Sequence, residues 1–329
     1  MRPWLWLSPA WAHKWSPMLI NGLSLLNSEK KPPEWRPFTW RGLQFPNRLG
    51  IAGGVDKDAR NVEAWWSLGS GFVEVGTITP RPQSGNPPPV VDRDVSHRAI
   101  WNRLGFPSQG LEAAEKRLRQ LKRPFPAPLF ANVGKNATTP LAEAHKDYAL
   151  LLERLKPWVD GFVINISSPN TKGLRDLLEP DRLREFLHSS LASLKGDRPP
   201  ILLKLSPDMK DDETARVLDL SIEAGIDGWI ISNTSQSIRE GLPFPDEGGV
   251  SGSPLAARSK QLLQHVIQLL GPRKKDRLLI SVGGVLSAAD VQERLDMGAD
   301  LVQCYAALIF EGPRFFRQVA KCQQQNLKH

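Results

Sequence analysis

Cysteine is nearly missing. Cys304 and Cys322 are the two in 329 residues, too few for a disulfide framework or a cysteine metal cluster, and they suit a reducing compartment. The six histidines show no HExxH or comparable ligand spacing, so no metal is expected. No run of about 18 apolar residues occurs, which argues against a spanning helix. The N-terminus also lacks the compact apolar stretch and small-residue cleavage site of a secretory signal.

Acid is absent from the start of the chain until Glu29, while Trp4, Trp6, Trp11 and Trp15 crowd the same stretch. Residues 1–42 carry six basic residues, Arg2, Lys14, Lys30, Lys31, Arg36 and Arg41, against Glu29 and Glu34; that places +4 of the chain's net +8 there. Such a surplus suits a nucleic acid or an anionic membrane surface, or serves solubility. Pro3, Pro9 and Pro17 interrupt the segment, so two short amphipathic helices separated near Pro17 are predicted. Tryptophan beside Lys and Arg is interfacial-helix chemistry, because indole is apolar with one polar N–H. A helical cap packed on the main domain fits the same residues.

From residue 48 onward, short apolar runs alternate with amphipathic stretches. The runs are 48–54, 72–77, 128–134, 161–167, 201–207, 228–234, 278–284 and 301–307. Helical segments are predicted near 58–68, 140–156, 180–195, 211–224, 255–270, 287–297 and 313–325. Near-continuous apolar strands alternating with helices indicate a parallel sheet covered on both faces. Eight units over roughly 280 residues fit an α/β fold, a closed (β/α)8 TIM barrel. The open doubly wound sheet is the alternative, weakened because no GxGxxG follows the first strand. The division expected is 1–42, a small N-terminal helical membrane-associating segment, and 43–329, the barrel. Asp211, Asp212 and Gly225 bracket one helix, and Ser287 and Gly298 another. Two excursions break the rhythm: 78–127, rich in proline and arginine, and 235–253, a candidate lid.

In such barrels the site lies where strands end at their C-termini. Those ends hold Lys57, Thr77, Asn132, Asn165, Ser168, Lys204, Asn233, Thr234, Gly283, Gly284, Tyr305 and Ala306. Amides, hydroxyls and lysines share one rim, with no catalytic carboxylate pair and no histidine. That argues against glycoside hydrolysis and triad-type acyl transfer. Asparagine offers a donor and an acceptor together, matching the edge of a pyrimidine or isoalloxazine ring. Two lysines neutralise a reduced ring or a carboxylate. The glycines of 248–253 and 282–284 let backbone N–H groups approach a phosphate, a site commonly built after strands seven and eight. Taken singly, a GG pair is more often a turn and a strand-terminal asparagine a cap; joint placement is the signal.

The motifs AGGVDKD, GTITPRPQ, NRLGF, NVGKN, NISSPNTKGLRDL, SNTS, GGVSG, SVGGV and QCYAALIFEGP occur in this order. Over about residues 8–320 the chain closely resembles the dihydroorotate dehydrogenases, specifically the class 2, quinone-reducing type. The resemblance implies an FMN oxidoreductase of de novo pyrimidine (UMP) biosynthesis, oxidising (S)-dihydroorotate to orotate with a membrane quinone as final acceptor. Ser168 is then the catalytic base for the C5 proton, with Thr171 and a water as relay and Phe106 as a shield. Serine rather than cysteine at this position favours class 2, as does the N-terminal extension. Lys57, Asn102, Arg103, Leu104, Gly105, Phe106, Asn165, Asn170, Asn233 and Thr234 correspond to the substrate-binding set. Gly53, Gly54, Val55, Asp56, Lys57, Thr77, Asn132, Asn165, Lys204, Ser232, Gly252, Gly284, Tyr305 and Ala306 correspond to the FMN set.

His13 and Arg93 match quinone-tunnel positions. Departures from the family pattern are Asp92 where an aromatic is common, Ser232 for threonine, and Ala306 for a serine that helps bind phosphate. The resemblance further implies a peripheral membrane protein on the cytoplasmic face of the cell membrane, a monomer, with no nucleic-acid partner. The competing readings are another FMN-barrel reductase, acting on tRNA dihydrouridine or a dihydropyrimidine, and a flavin-retaining membrane module without catalysis. The first class is built around a cysteine acid, and neither cysteine lies near 168.

Overall fold

All eight apolar runs become parallel strands, namely Leu49–Asp56, Val73–Ile78, Leu129–Val133, Gly161–Ile164, Ile201–Lys204, Gly228–Ile231, Leu278–Val282 and Leu301–Cys304. Each pairs with the next along the chain, and the pairing of Val302 with Leu49 closes the barrel. The computed structural model describes residues 3–27, 31–192, 194, 196 and 198–326, with the side chains of Pro3, His13, Lys14 and Asn326 outside that description. Helices cover the outer face, so strands such as Gly161–Ile164 and Leu278–Val282 are buried at every position.

Side chains along a strand alternate between faces, and here the two faces are two cores. Phe162, Ile164, Ile201, Leu203 and Ile231 pack outward against the helices. Phe72, Phe130, Val163, Leu202, Ile230, Ile280 and Leu301 fill the barrel interior. A hairpin of Phe38–Trp40 and Leu43–Phe45 plugs the bottom. Its Phe45 ring stacks on Phe130 at 6.4 Å and meets Phe72 edge-on at 5.9 Å. Trp35, just before the hairpin, is also buried.

The helix signals hold. Asp211–Glu223 carries three acids in its first turn, where the helix dipole is positive, and Gly225 at φ 81° leaves it. Ser287 caps Ala288–Asp296: its Oγ accepts from the Asp290 N–H at 3.1 Å while Asp290 Oδ2 accepts from the Ser287 N–H at 2.8 Å.

Two expectations are corrected. The N-terminal segment is not two helices parted at Pro17. A 3-10 turn, Pro3–Trp6, precedes one helix, Pro9–Leu25, that runs through Pro17. A proline inside a helix forfeits the backbone bond to the carbonyl four residues back; the barrel grips the helix at this point, where Asn61 Nδ2 donates to the Pro17 carbonyl at 2.7 Å. Ser8 starts the helix, its Oγ accepting from Trp11 N–H at 3.3 Å. The second correction concerns residues 78–127. They contain a helix, Leu111–Leu118, and two antiparallel strands, Val91–Asp94 and Ala99–Asn102. Gly249–Gly252, at the end of the second excursion, pairs with Ala99–Asn102. The two interruptions thus meet in one three-stranded sheet.

Candidate active site

Period-two alternation builds the site. One step beyond each inward apolar side chain, on the same face, comes a polar residue. Phe72 is followed by Glu74, Phe130 by Asn132, Val163 by Asn165, Leu202 by Lys204, Ile230 by Ser232 and Leu301 by Gln303. Six strands therefore turn polar at the same height, and all six polar residues are buried. Glu74 is their hub. Its carboxylate accepts from Asn132 Nδ2 at 2.5 Å and Gln303 Nε2 at 2.6 Å, and lies 3.4 Å from Lys204 Nζ. Burying a lysine and a glutamate together is tolerable only with such mutual compensation.

Above this hub the amides connect in a chain. Thr77 Oγ1 donates to Asn132 Oδ1 at 2.7 Å, and Asn165 Nδ2 donates to Thr77 Oγ1 at 3.2 Å. Asn233 Nδ2 donates to Asn165 Oδ1 at 3.3 Å and to Ser167 Oγ at 3.1 Å. The Asn165 carbonyl is fixed from outside by Tyr148 OH at 2.9 Å. Such a network holds its members in one orientation.

A pocket opens at this mouth. Gly53, Gly54, Lys57, Thr77, Asn102, Leu104, Gly105, Phe106, Asn165, Ser168, Asn170, Lys204, Ser232, Asn233, Thr234, Gly252, Gly284, Tyr305 and Ala306 all line it, together with Gln303. Ser168 is buried, its Oγ accepting from the Asn170 N–H at 3.2 Å. Asn170 Nδ2 donates to Asn102 Oδ1 at 2.8 Å, and Asn86 Nδ2 to the Asn170 carbonyl at 3.1 Å. The excursion 78–127 is thereby tied to the serine loop. Lys57 Nζ donates to the Gly54 carbonyl at 2.8 Å. Burial pushes its ammonium down to about 8, against the raising effect of Asp58 and Asp56.

Four expected site residues stand elsewhere. Asn132 lies beneath the lining, bonded to Thr77 and Glu74. Arg103 turns away to pair with Glu247 at 2.7 Å. Asp56 accepts from the N–H groups of Arg60 and Asn61 at 2.8 Å each, ahead of the helix Val62–Leu68. Asp56 and Val55 line a second, apolar cleft under the N-terminal helix.

That cleft runs among Trp4, Trp11, Trp15, Leu19, Ile20, Leu23, Trp65, Leu308 and Ile309, and it reaches Gly54, Lys57 and Tyr305, which also line the polar pocket. Arg93 stands at its wall. One guanidinium nitrogen donates to the Leu5 carbonyl at 2.7 Å, to that of Trp4 at 3.2 Å, and to that of Leu7. Asp92 turns its carboxylate back to the Arg93 N–H at 2.8 Å. The helix carries residue 13, but the His13 side chain lies outside the described residues.

Glu74 and Gln303 were not anticipated from the sequence. The signal was present: each is a polar residue inside an apolar strand, two positions past an inward side chain. Both matter to what the pocket can hold. Asn170 Oδ1, Thr234 Oγ1 and Gln303 Oε1, all on lining residues, and the adjoining Thr171 Oγ1 are buried without a partner among the described residues. Unspent hydrogen-bonding capacity is costly, so a polar ligand fits this wall. Gly53 leaves room beside the hub, since a Cβ there would meet Glu74 Oε1 at 2.3 Å. A flat heteroaromatic ring with amide-like edges and an anionic tail matches these donors, acceptors, lysines and glycine surfaces. Cys304 lies in the barrel wall with its thiol pushed up by burial, the opposite of an acid catalyst.

The chain is similar to known proteins in sequence and in fold. The family model described as dihydroorotate dehydrogenase matches residues 38–327. A dihydroorotate dehydrogenase (quinone) of Thermus thermophilus is 46% identical over 283 residues, covering 84% of this chain and 79% of the relative. That of a Marinomonas species is 40% identical over 326 residues, covering 95% and 92%. The crystal structure of DHODH from Eimeria tenella in complex with ferulenol superposes with a TM-score of 0.85 at 33% identity, covering 97% of this chain and 91% of that one.

Proposed function

The chain belongs to the dihydroorotate dehydrogenase family, and from that membership we propose how its two cavities divide the reaction. The protein is a flavin-dependent oxidoreductase of pyrimidine biosynthesis. It oxidises (S)-dihydroorotate to orotate and passes the electrons to a quinone. A tRNA-dihydrouridine or dihydropyrimidine reductase is not favoured.

The flavin in this reading is FMN. Its support is the pocket's chemistry: a ring-sized polar mouth, glycine surfaces at Gly53 and Gly284, and two lysines. A flavin held there would supply the hydride acceptor for the substrate and the electron donor for the quinone. Thr77, Lys204, Ser232, Gly252, Gly284, Tyr305 and Ala306 line its share of the pocket, while Asn132 and Glu74 hold Thr77 and Lys204 in place. Asn102, Asn165, Asn170, Asn233 and Thr234 offer paired donors and acceptors to the edge of orotate, and Lys57 offers an ammonium to its carboxylate. Arg103, turned to Glu247, contributes to shape rather than contact.

Ser168 takes the C5 proton. A serine hydroxyl is a poor base, so its proton must leave as it works. Thr171 Oγ1, three residues on in the same loop, is buried without a partner among the described residues. Phe106, itself buried, closes the wall against bulk water. The surrounding amides stabilise charge that develops on the substrate, as preorganised donors do.

Quinone enters the apolar cleft. The observation that carries this reading is the junction of cleft and polar pocket at Gly54, Lys57 and Tyr305. Arg93 secures the N-terminal turn over the cleft. Among the described residues no helix is long and apolar enough to cross a membrane. The protein attaches peripherally, as a monomer, on the cytoplasmic face, through the exposed tryptophans and leucines of residues 6–26. The deciding experiment is the absorbance spectrum of the purified protein. Dihydroorotate must bleach the flavin bands and quinone must restore them; a flavin that dihydroorotate leaves unbleached overturns the reading.

A further inference from the structure

One buried cation, behind Gly283 and Gly284 of the pocket, has no role so far. Arg294 is 1% exposed, on the helix Ala288–Asp296. Its Nη1 donates to Ser281 Oγ at 3.0 Å. Its Nη2 donates to the Gly283 carbonyl at 2.7 Å, to Ser259 Oγ at 2.8 Å and to the Ala256 carbonyl at 3.2 Å. Its Nε has no partner among the described residues.

What Arg294 lacks is a counter-charge. The carboxylates that act on it, Glu293 and Asp290, are on its own helix and are otherwise engaged. Glu293 pairs with Lys260 at 2.7 Å, and Asp290 caps the helix through Ser287 and the Leu286 N–H at 2.9 Å. Among the described residues none lies within ion-pair distance of the guanidinium. Burial pushes it down to about 10. A buried cation without an anion is strongly unfavourable, and so points to an anion supplied from outside the chain.

The geometry shows where. The Gly283 carbonyl that Arg294 holds belongs to the same trans peptide as the Gly284 N–H, and in a trans peptide these two point in opposite directions. Gly284 lines the pocket, and its N–H has no acceptor among the described residues. A Cβ at Gly284, where φ is 72°, would meet Ala256 Cα at 2.4 Å. The turn is thereby pressed onto the start of the helix Ala256–Leu270. Backbone after the seventh strand is where barrels commonly build phosphate sites.

We propose that Arg294 is a positioning residue that selects a phosphorylated flavin: it fixes and polarises the Gly283–Gly284 peptide and supplies the counter-charge for a phosphate on the pocket side. The inference rests on the FMN reading above and deepens it.

The test is reconstitution of flavin-free full-length protein with FMN and with riboflavin in parallel, followed by flavin fluorescence. Arg294→Gln is expected to weaken FMN on the order of tenfold to a hundredfold and riboflavin by less than about threefold. Arg294→Lys, which keeps the charge, recovers most of the loss. Equal weakening of both flavins, or unchanged FMN affinity, overturns the proposal and leaves the FMN reading intact. Wild type binding neither flavin overturns the FMN reading, and this inference with it. Should Arg294→Gln not fold, phosphorus NMR of the wild-type holoenzyme decides. A free phosphate monoester titrates near about pH 6; beside Arg294 the bound phosphate stays dianionic from about pH 5 to about pH 8, and titration near the free value overturns the proposal.

Discussion

The barrel and the N-terminal helix obey opposite rules. The barrel buries its large apolar side chains and compensates its interior charges, Lys204 by Glu74 and Arg294 by hydroxyls and carbonyls. The helix exposes what a globular surface normally hides. Of the eleven exposed large apolar side chains among the described residues, nine fall between Trp6 and Leu26; Val95 and Leu150 are the others. Trp6 is 77% exposed and Leu26 85%. Scattered apolar exposure is ordinary, but a concentrated patch marks an interaction surface. Polar ties hold the segment to the barrel: Trp4 Nε1 to the Ile309 carbonyl at 2.7 Å, Arg93 to the turn carbonyls, and Asn61 to Pro17. One region holds its polar atoms fixed, and the other presents a concentrated apolar surface, which the function proposed above assigns to membrane contact. On the function proposed above, the difference would separate the two half-reactions physically.

The largest effect expected lies wholly on the barrel side. Ser168→Ala should keep flavin and orotate binding yet slow flavin reduction by dihydroorotate by about 10³ to 10⁴, the upper range for a general base. Stopped-flow absorbance measures it, and a full reductive rate in the variant removes Ser168 from the chemistry. Next comes the hub. Glu74→Gln leaves Lys204 buried without its carboxylate, a change that costs about 3–5 kcal/mol when one partner of a buried pair is removed. Denaturant unfolding of the holoprotein reads this directly; a loss below about 1 kcal/mol would mean that water already solvates the pair.

The comparison breaks most directly by cutting between the regions. Removing residues 1–30 should spare reduction by dihydroorotate and slow reoxidation by quinone about tenfold or more, the equivalent of at least ~1.4 kcal/mol of lost contact. The cut must stop before Trp35, which is 2% exposed, and before the hairpin that plugs the barrel floor. Equal loss in both steps would make the helix a structural cap instead.

Much of this was readable in the sequence because strands and helices leave periodic marks. All eight strands and the closed barrel follow from apolar runs, and the residues at their ends supply part of the pocket lining; Asn102, Leu104, Gly105, Phe106 and Asn170 came from the family resemblance. Glu74 and Gln303 escaped attention because they lie within strands rather than at the tips; period-two alternation from Phe72 and Leu301 marks both. Pro17 misled because proline normally ends a helix, and a tertiary bond from Asn61 is invisible locally. The antiparallel sheet over the mouth joins residues 91–102 to 249–252, a pairing no local pattern encodes. Arg103 and Asp56 sit in motifs beside the pocket, yet Glu247 and a helix N-terminus claim their side chains.

The smallest effect expected sits where the two regions meet, at Lys57, which lines both cavities. Burial lowers its folded pKa to about 8 from the ordinary lysine value. Two consequences have definite signs. A lysine whose folded pKa is depressed costs stability while it must be protonated, so the unliganded protein gains stability as pH rises through about 8 toward the unfolded value. Binding of an anion runs the other way, because the ammonium that attracts orotate is lost over the same interval. Orotate affinity should be flat below about pH 7 and fall about tenfold per pH unit above about pH 8. Orotate, once bound, holds the proton on Lys57, so the limb appears in the free protein and is shifted upward in the complex. Calorimetric titration of orotate from about pH 6.5 to about pH 9.5, with Lys57→Gln as control, separates the cases. An affinity that stays level to about pH 9 in wild type would take Lys57 away from the substrate and leave it facing the apolar cleft alone.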